Sequence, residues 1–88
     1  PGGGKIQHYE ILMVQEDGKV VKPPKLVYSG TGTYNSTTLK DLHPGWIYGL
    51  RVRAVNGMGP GAFSKTQMVR LLMFLTVQFR SQQTVQLL

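Results

Sequence analysis

Hydrophobic residues recur at every second position in two segments of the chain, the period expected of β-strands with one buried face. The first segment, residues 6–14, places Tyr9, Ile11 and Met13 on the predicted inner face. The second segment has a longer inner face, formed by Tyr48, Leu50, Val52 and Ala54. Both patterns predict strands that cover a hydrophobic core.

Turn-forming residues separate these segments from others of strand-like composition. Asp17-Gly18 marks a hairpin turn that leads to a second strand at residues 25–28, and Pro23-Pro24 places that strand at a sheet edge. Residues 34–42 and 63–70 predict two more strands. Because no segment before residue 70 has helical periodicity, the sequence predicts an all-β sandwich.

The segment of residues 42–64 resembles the second half of a fibronectin type III domain. It follows the spacing Leu-x-Pro-Gly-x-x-Tyr, then an alternating apolar strand, an Asn, a Gly-rich loop and a Ser. The resemblance implies an immunoglobulin-like β-sandwich with a tyrosine corner, in which a tyrosine hydroxyl bonds to the backbone a few residues upstream. The corner is predicted to consist of Leu42, Pro44 and Tyr48, with Tyr48 bonding near His43.

The resemblance also implies an atypical strand order. The family begins with strands A and B, of which B carries a core tryptophan, whereas residues 6–14 of this sequence resemble strand C. We therefore expect a body of strands C, C′, E, F and G at residues 1–70. Residues 71–88 resemble an A–B strand pair and form a predicted tail. The chain is expected to be a piece of a larger protein.

The arrangement of the tail, residues 71–88, is left open by the sequence. A first tail strand in the place of A would start at the pole opposite the end of strand G. The four residues after Arg70 span only about 14 Å when extended, so a simple fold-back is expected to be strained. The tail would instead begin a following repeat, complete a neighbouring chain by strand exchange, or fold back after strand G melts locally.

Composition excludes several kinds of site. The chain has no cysteine, so it can form neither a disulfide nor a thiolate metal site. Its two histidines, His8 and His43, lack acids or serines at catalytic or metal-ligand spacing. The longest apolar run, residues 71–75, is too short to cross a membrane. We predict no catalytic residue, no metal, no cofactor and no membrane insertion.

The formal net charge of +6 raises the question of acidic partners. Arg51 and Arg53 alternate on the predicted outward face of strand F and are a candidate basic face for a sulfated glycan. Charges that keep a sheet face soluble are the alternative. Since the sequence has no cluster of basic residues, heparin or nucleic-acid binding is the least favoured function, and nucleic acid is not expected as a partner.

The predicted F–G loop is a candidate contact surface for a protein partner, because loops at the pole of a rigid sandwich can vary without disturbing the core. The alternative is a plain connector. Met58 at its tip would be an adaptable apolar contact. The loop consists of Asn56, Gly57, Met58 and Gly59.

Asn35-Ser36-Thr37 is a glycosylation sequon, which is usable only in the secretory pathway. Together with the resemblance, it favours a non-catalytic protein-interaction or spacer module of a multidomain cell-surface or extracellular protein. The sequence does not identify the protein partner, and a cytoplasmic location stays open. A strand-exchanging self-assembly element, with homo-oligomers formed through residues 71–88, is the alternative function.

Overall fold

The computed structural model describes residues 6–31, 36–79 and 86–87, the last pair by its backbone alone. The sequon residue Asn35 therefore lies outside the described residues. The described part is all β, with no helix, and its strands are β1 (Ile6–Glu16), β2 (Lys19–Gly30), β3 (Ser36–Leu39), β4 (Ile47–Asn56), β5 (Gly59–Pro60), β6 (Gln67–Arg70), β7 (Leu75–Gln78) and β8 (Gln86–Leu87).

The first sheet is antiparallel and has β1 and β4 at its centre. Strand β2 pairs with the outer side of β1, while β5 and β6 both pair with β4. The β1–β2 hairpin turns at Asp17 and Gly18, which both have positive φ, as a two-residue turn with the twist of its strands requires. Pro23-Pro24 lies in an irregularity of edge strand β2, where no ladder hydrogen bond is lost.

The second sheet has the order β3-β7-β8. Strands β3 and β7 are antiparallel and in continuous register, from the pair Ser36 and Gln78 to the pair Leu39 and Leu75. Two residues of β7 also pair with β8. The tail of the chain therefore supplies the strands that complete this sheet in the described residues.

The two sheets face each other across one hydrophobic core. The inward residues predicted for β1 and β4 are all buried, and strand β7 contributes Leu75 and Val77 from the opposite sheet. Phe79, just after β7, stacks on Tyr9 of β1 with the ring centroids 4.3 Å apart. Tyr28 of β2 lies against the same phenylalanine ring at 5.8 Å. These contacts between the sheets make the fold a β-sandwich.

The tail folds back differently from the expectation. In an immunoglobulin-like sandwich the strand beside E is B, and β7 occupies that place beside β3, not the place of A. Strand β6 ends at Arg70 opposite Ile47, and the next residue, Leu71, donates its N–H to the Trp46 carbonyl at 2.9 Å. The end of β6 and the start of β7 thus lie at one pole. The expectation of a strained fold-back was wrong because it assigned the first tail strand to the distant place.

Three local predictions also differ from the structure. The second strand is longer than residues 25–28, since the hairpin continues the pairing down to Lys19. The strand predicted at residues 63–70 is regular only over Gln67–Arg70, because Ser64 bonds to Val52 through both its N–H and its hydroxyl instead of in a regular ladder. Gly49 was placed on an outward face, yet it is buried because Gln15, Thr66 and Met68 cover that part of the sheet.

Candidate functional site

The corner between β3 and β4 is fixed by Tyr48. This side chain is fully buried, and its hydroxyl accepts a hydrogen bond from the His43 backbone N–H at 2.8 Å. Leu42 packs against the core from the same corner, while Pro44 is exposed. The bond satisfies a backbone donor where the chain crosses from one sheet to the other. The corner is therefore a structural device.

The corner is also tied to the end of β6. The Gly45 N–H donates to the Leu71 carbonyl at 2.7 Å. The Arg70 guanidinium donates from Nη1 to the Gly45 carbonyl at 2.9 Å. The His43 ring lies against the Trp46 ring, with the two centroids 4.1 Å apart. These contacts hold the backbone in a defined conformation at the pole where the tail begins.

The predicted contact loop connects β4 to β5 and has a defined backbone. The Asn56 side-chain oxygen accepts a hydrogen bond from the Met58 N–H at 2.9 Å, and Asn56 also faces Gly59 across the ladder. Gly59 has φ +120°, a conformation that L side chains rarely adopt. Gly57 lies between Asn56 and Met58 and is exposed. The loop is thus a tight turn, and it holds the Met58 side chain 78% exposed.

An open hollow of about 370 Å³ lies beside this loop. Met58 and Ile6 contribute to its lining, and Ile6 is the exposed first residue of β1. The remaining lining comes from Ala54, Asn56, Gly59, Pro60 and Gly61. An apolar tip next to a shallow hollow is a surface that a protein side chain can fill.

Arg51 and Arg53 both use their guanidinium groups inside the domain. Arg53 donates from Nε to the Glu10 carboxylate at 2.6 Å, and its Cζ lies 4.3 Å above the centre of the Phe63 ring. Arg51 donates from Nε to the Ser64 carbonyl at 2.9 Å. The other carboxylate oxygen of Glu10, Oε2, lies 4.0 Å from Nε2 of His8. In the candidate basic face, the charge of Arg53 is therefore partly neutralised by Glu10, and the Arg51 side chain is held by the Ser64 carbonyl.

Ser64 has a role that the sequence analysis did not assign. Its hydroxyl accepts a hydrogen bond from the Val52 N–H at 2.9 Å, and its own N–H donates to the Val52 carbonyl at 2.7 Å. The serine hydroxyl thus takes the place of a backbone carbonyl as the acceptor for Val52. It does so where residues 61–66 depart from regular strand geometry. The only signal in the sequence was its place after the Gly-rich loop in the motif.

The connection between β6 and β7 exposes three consecutive large apolar side chains. Leu72 is 78%, Met73 79% and Phe74 66% exposed. We call Leu71–Phe74 the connecting segment. It borders a second hollow, of about 360 Å³, lined mainly by apolar atoms of the connecting segment and the corner, including Leu39 and Leu42. The sequence shows an apolar run that is too short to cross a membrane, but not that its side chains are exposed.

The described residues contain neither a group of metal-ligating side chains nor a membrane-spanning helix. No group of three or more His, Asp or Glu side chains in residues 6–31 and 36–79 is placed to hold a metal ion. Within the part of the chain that the structure describes, no helix has the length and apolar character to cross a membrane. The loop at Met58 and the connecting segment are the candidate contact surfaces, because both expose large apolar side chains.

Comparison with known proteins identifies the family of the chain. A family model described as the fibronectin type III domain matches residues 1–69. No solved structure matches the chain. Domains of this family are generally non-catalytic protein-interaction or spacer modules, and they are common in extracellular proteins. Since the match covers most of the 88 residues and the structure is an all-β sandwich, the chain belongs to the fibronectin type III family.

Proposed function

We propose that the chain is a non-catalytic protein-interaction and spacer module of a multidomain cell-surface or extracellular protein. The β4–β5 loop makes the contact with the protein partner, and the sandwich behind it supplies rigid support. Binding would rest on surface complementarity, with Met58 as the apolar anchor and the neighbouring hollow as the recess for a partner side chain.

The exposure of Met58 on a constrained loop is the observation that supports this proposal. The Met58 side chain is 78% exposed. Asn56 and Gly59 fix the backbone on either side of it. A preorganised loop loses little conformational entropy when a partner binds. Methionine adds an unbranched side chain that adapts to irregular apolar surfaces.

The shape of the molecule suits a spacer. Its principal dimensions are 41 × 27 × 18 Å, so one axis is clearly longer than the others. The long axis of a sandwich that is stiffened by two hydrogen-bonded sheets can hold neighbouring domains at a fixed separation.

The contact proposal is tested by comparing two methionine variants. The immobilised 88-residue chain is exposed to intact cells and to a panel of purified ectodomains, and each bound protein is measured again with Met58→Ser and with Met68→Ser. Met68 is the matched control, because it is 46% exposed on β6, away from the loop. A genuine partner loses about tenfold or more in affinity with Met58→Ser and little with Met68→Ser. Equal binding by both variants would overturn the assignment of the loop.

The proposed compartment has its own test, through the sequon at Asn35. The chain is expressed with a secretion signal in mammalian cells, and its mass is measured before and after enzymatic removal of N-glycans. We expect a loss of mass that is absent in Asn35→Gln. If the secreted chain folds without a glycan, the sequon does not support an extracellular location.

Binding of a sulfated glycan is less well supported than a protein contact. Arg53 donates from Nε to Glu10 and Arg51 donates from Nε to the Ser64 carbonyl, so each guanidinium already makes a contact within the domain. Heparin affinity that falls steeply with added salt would favour this role instead.

A further inference from the structure

We propose that the chain also forms a dimer by exchanging its tail. Strand β7 and Phe79 leave their own body at the connecting segment, and β7 pairs with β3 of a second copy, whose own β7 returns the exchange. The partner is thus another molecule of the same chain, and this interaction is separate from the loop at Met58.

The first argument is that exchange preserves the contacts of β7. Its four residues pair with β3 in continuous register, and Leu75, Val77 and Phe79 are at most 4% exposed. A second copy offers an identical β3 and an identical core surface. These contacts are therefore the same in the closed and the exchanged forms, so the balance depends on the connecting segment and the protein concentration.

The second argument concerns the connecting segment itself. It carries the chain from β6 in one sheet to β7 in the other, so it is the hinge at which β7 would leave its own body. It also exposes Leu72, Met73 and Phe74 in one run, which is unusual for the surface of a monomer. In an exchanged dimer the two connecting segments run past each other, so these side chains cover one another.

The third argument is that the surroundings of the segment suit contact between two copies. The hollow of about 360 Å³ lies at the same pole, and the wall that Leu39 and Leu42 contribute stays with the body, where it can receive the connecting segment of the partner. Exposed Lys40 and Asp41 also line it. In a two-fold contact each surface meets its own copy, so Lys40 of one molecule can face Asp41 of the other.

The decisive experiment traps the exchanged strand by a disulfide. Thr38 and Thr76 face each other across β3 and β7, with side-chain oxygens 3.1 Å apart, and the chain has no cysteine of its own. Chains carrying only Thr38→Cys are unfolded, mixed with chains carrying only Thr76→Cys, refolded at high concentration and oxidised. A disulfide between these two positions requires β3 of one chain to pair with β7 of another.

A second mixture provides the matched control. Glu16 and Lys19 are paired across the β1–β2 hairpin, which does not take part in the exchange. Chains with Glu16→Cys and chains with Lys19→Cys are treated in the same way, and linked peptides are quantified by mass spectrometry. We expect linked pairs in the first mixture, increasing with concentration, and few in the second. Equal linkage in both mixtures, or none in the first, would overturn the proposal.

Light scattering on the chain without the cysteine substitutions tests whether the connecting segment contributes to dimer formation. We expect a dimer at high concentration, and the triple variant Leu72→Ser, Met73→Ser, Phe74→Ser should weaken its association constant about tenfold or more. The control changes three exposed apolar residues elsewhere, Val20→Ser, Leu26→Ser and Met58→Ser. Urea midpoints confirm that both variants fold. A monomer at every concentration, or equal weakening by both triple variants, would contradict the proposal.

Discussion

The most direct test of how the tail is packed is the replacement of Phe79 by alanine. Phe79 is 3% exposed and lies face to face with Tyr9, with an angle of 2° between the ring planes. It comes from the tail, whereas Tyr9 belongs to β1 in the opposite sheet. The substitution therefore removes a contact that exists only if the tail closes the sandwich.

The expected loss is large compared with the stability of the domain. Truncating a buried phenylalanine to alanine costs about 3–5 kcal/mol, of which the stacking with Tyr9 contributes about 0.5–1.5 kcal/mol. The free energy of unfolding of a small domain is only about 5–15 kcal/mol. With a urea dependence near 2 kcal/mol per molar, the midpoint should fall by about 2 M.

The assay is urea unfolding followed by the fluorescence of Trp46, the only tryptophan, whose ring lies 6.3 Å from that of Tyr48. The matched control is Phe74→Ala, since Phe74 has the same side chain but is 66% exposed. Its loss should stay within about 0.5 kcal/mol when measured at low protein concentration. If Phe79→Ala costs no more than Phe74→Ala, the tail does not pack on Tyr9 and the reasoning fails.

Three other substitutions test the local devices of the fold, each by urea unfolding. Tyr48→Phe removes the acceptor of the His43 N–H and should cost about 1 kcal/mol, and a loss below about 0.3 kcal/mol would contradict a stabilising corner. Ser64→Ala leaves the Val52 N–H without its partner and should cost about 1–3 kcal/mol, whereas Ser64→Thr keeps the hydroxyl and should cost less. Gly49→Ala would place a Cβ atom 3.0 Å from the Gln15 Cβ and the Met68 Sδ, with an expected loss of about 1–3 kcal/mol. The double variant with Met68→Ala should recover part of that loss.

The corner and strand β4 could be predicted because their determinants are close together in the sequence. The alternation from Tyr48 to Ala54 assigns one face to the core, and a hydroxyl five residues from His43 has only a short distance to reach. Likewise, Asp17-Gly18 supplies the positive φ values that the hairpin turn needs. Such features depend on neighbouring residues and on period, which a single sequence displays directly.

The surroundings of the arginines could not be predicted in this way. Arg53 meets Glu10, which is 43 positions away, only because β1 and β4 pair with these two residues opposite each other. Phe63 then reaches the same guanidinium from a segment outside the regular strands. Alternation showed that the arginines face outward, but register decides which groups neutralise them.

By itself, the sequence determined the all-β class, the inward faces of β1 and β4, and the motif of the fibronectin type III family. The tertiary structure alone decided where the tail lies. The segment of residues 71–88 resembles a strand pair in any setting, and its composition does not specify which edge it will join. The place of β7 beside β3 follows from the end of β6 lying at the pole where β3 ends, and from the core that Leu75, Val77 and Phe79 complete. Both are properties of the assembled sheets, because edge pairing and core closure join residues that are distant in the chain.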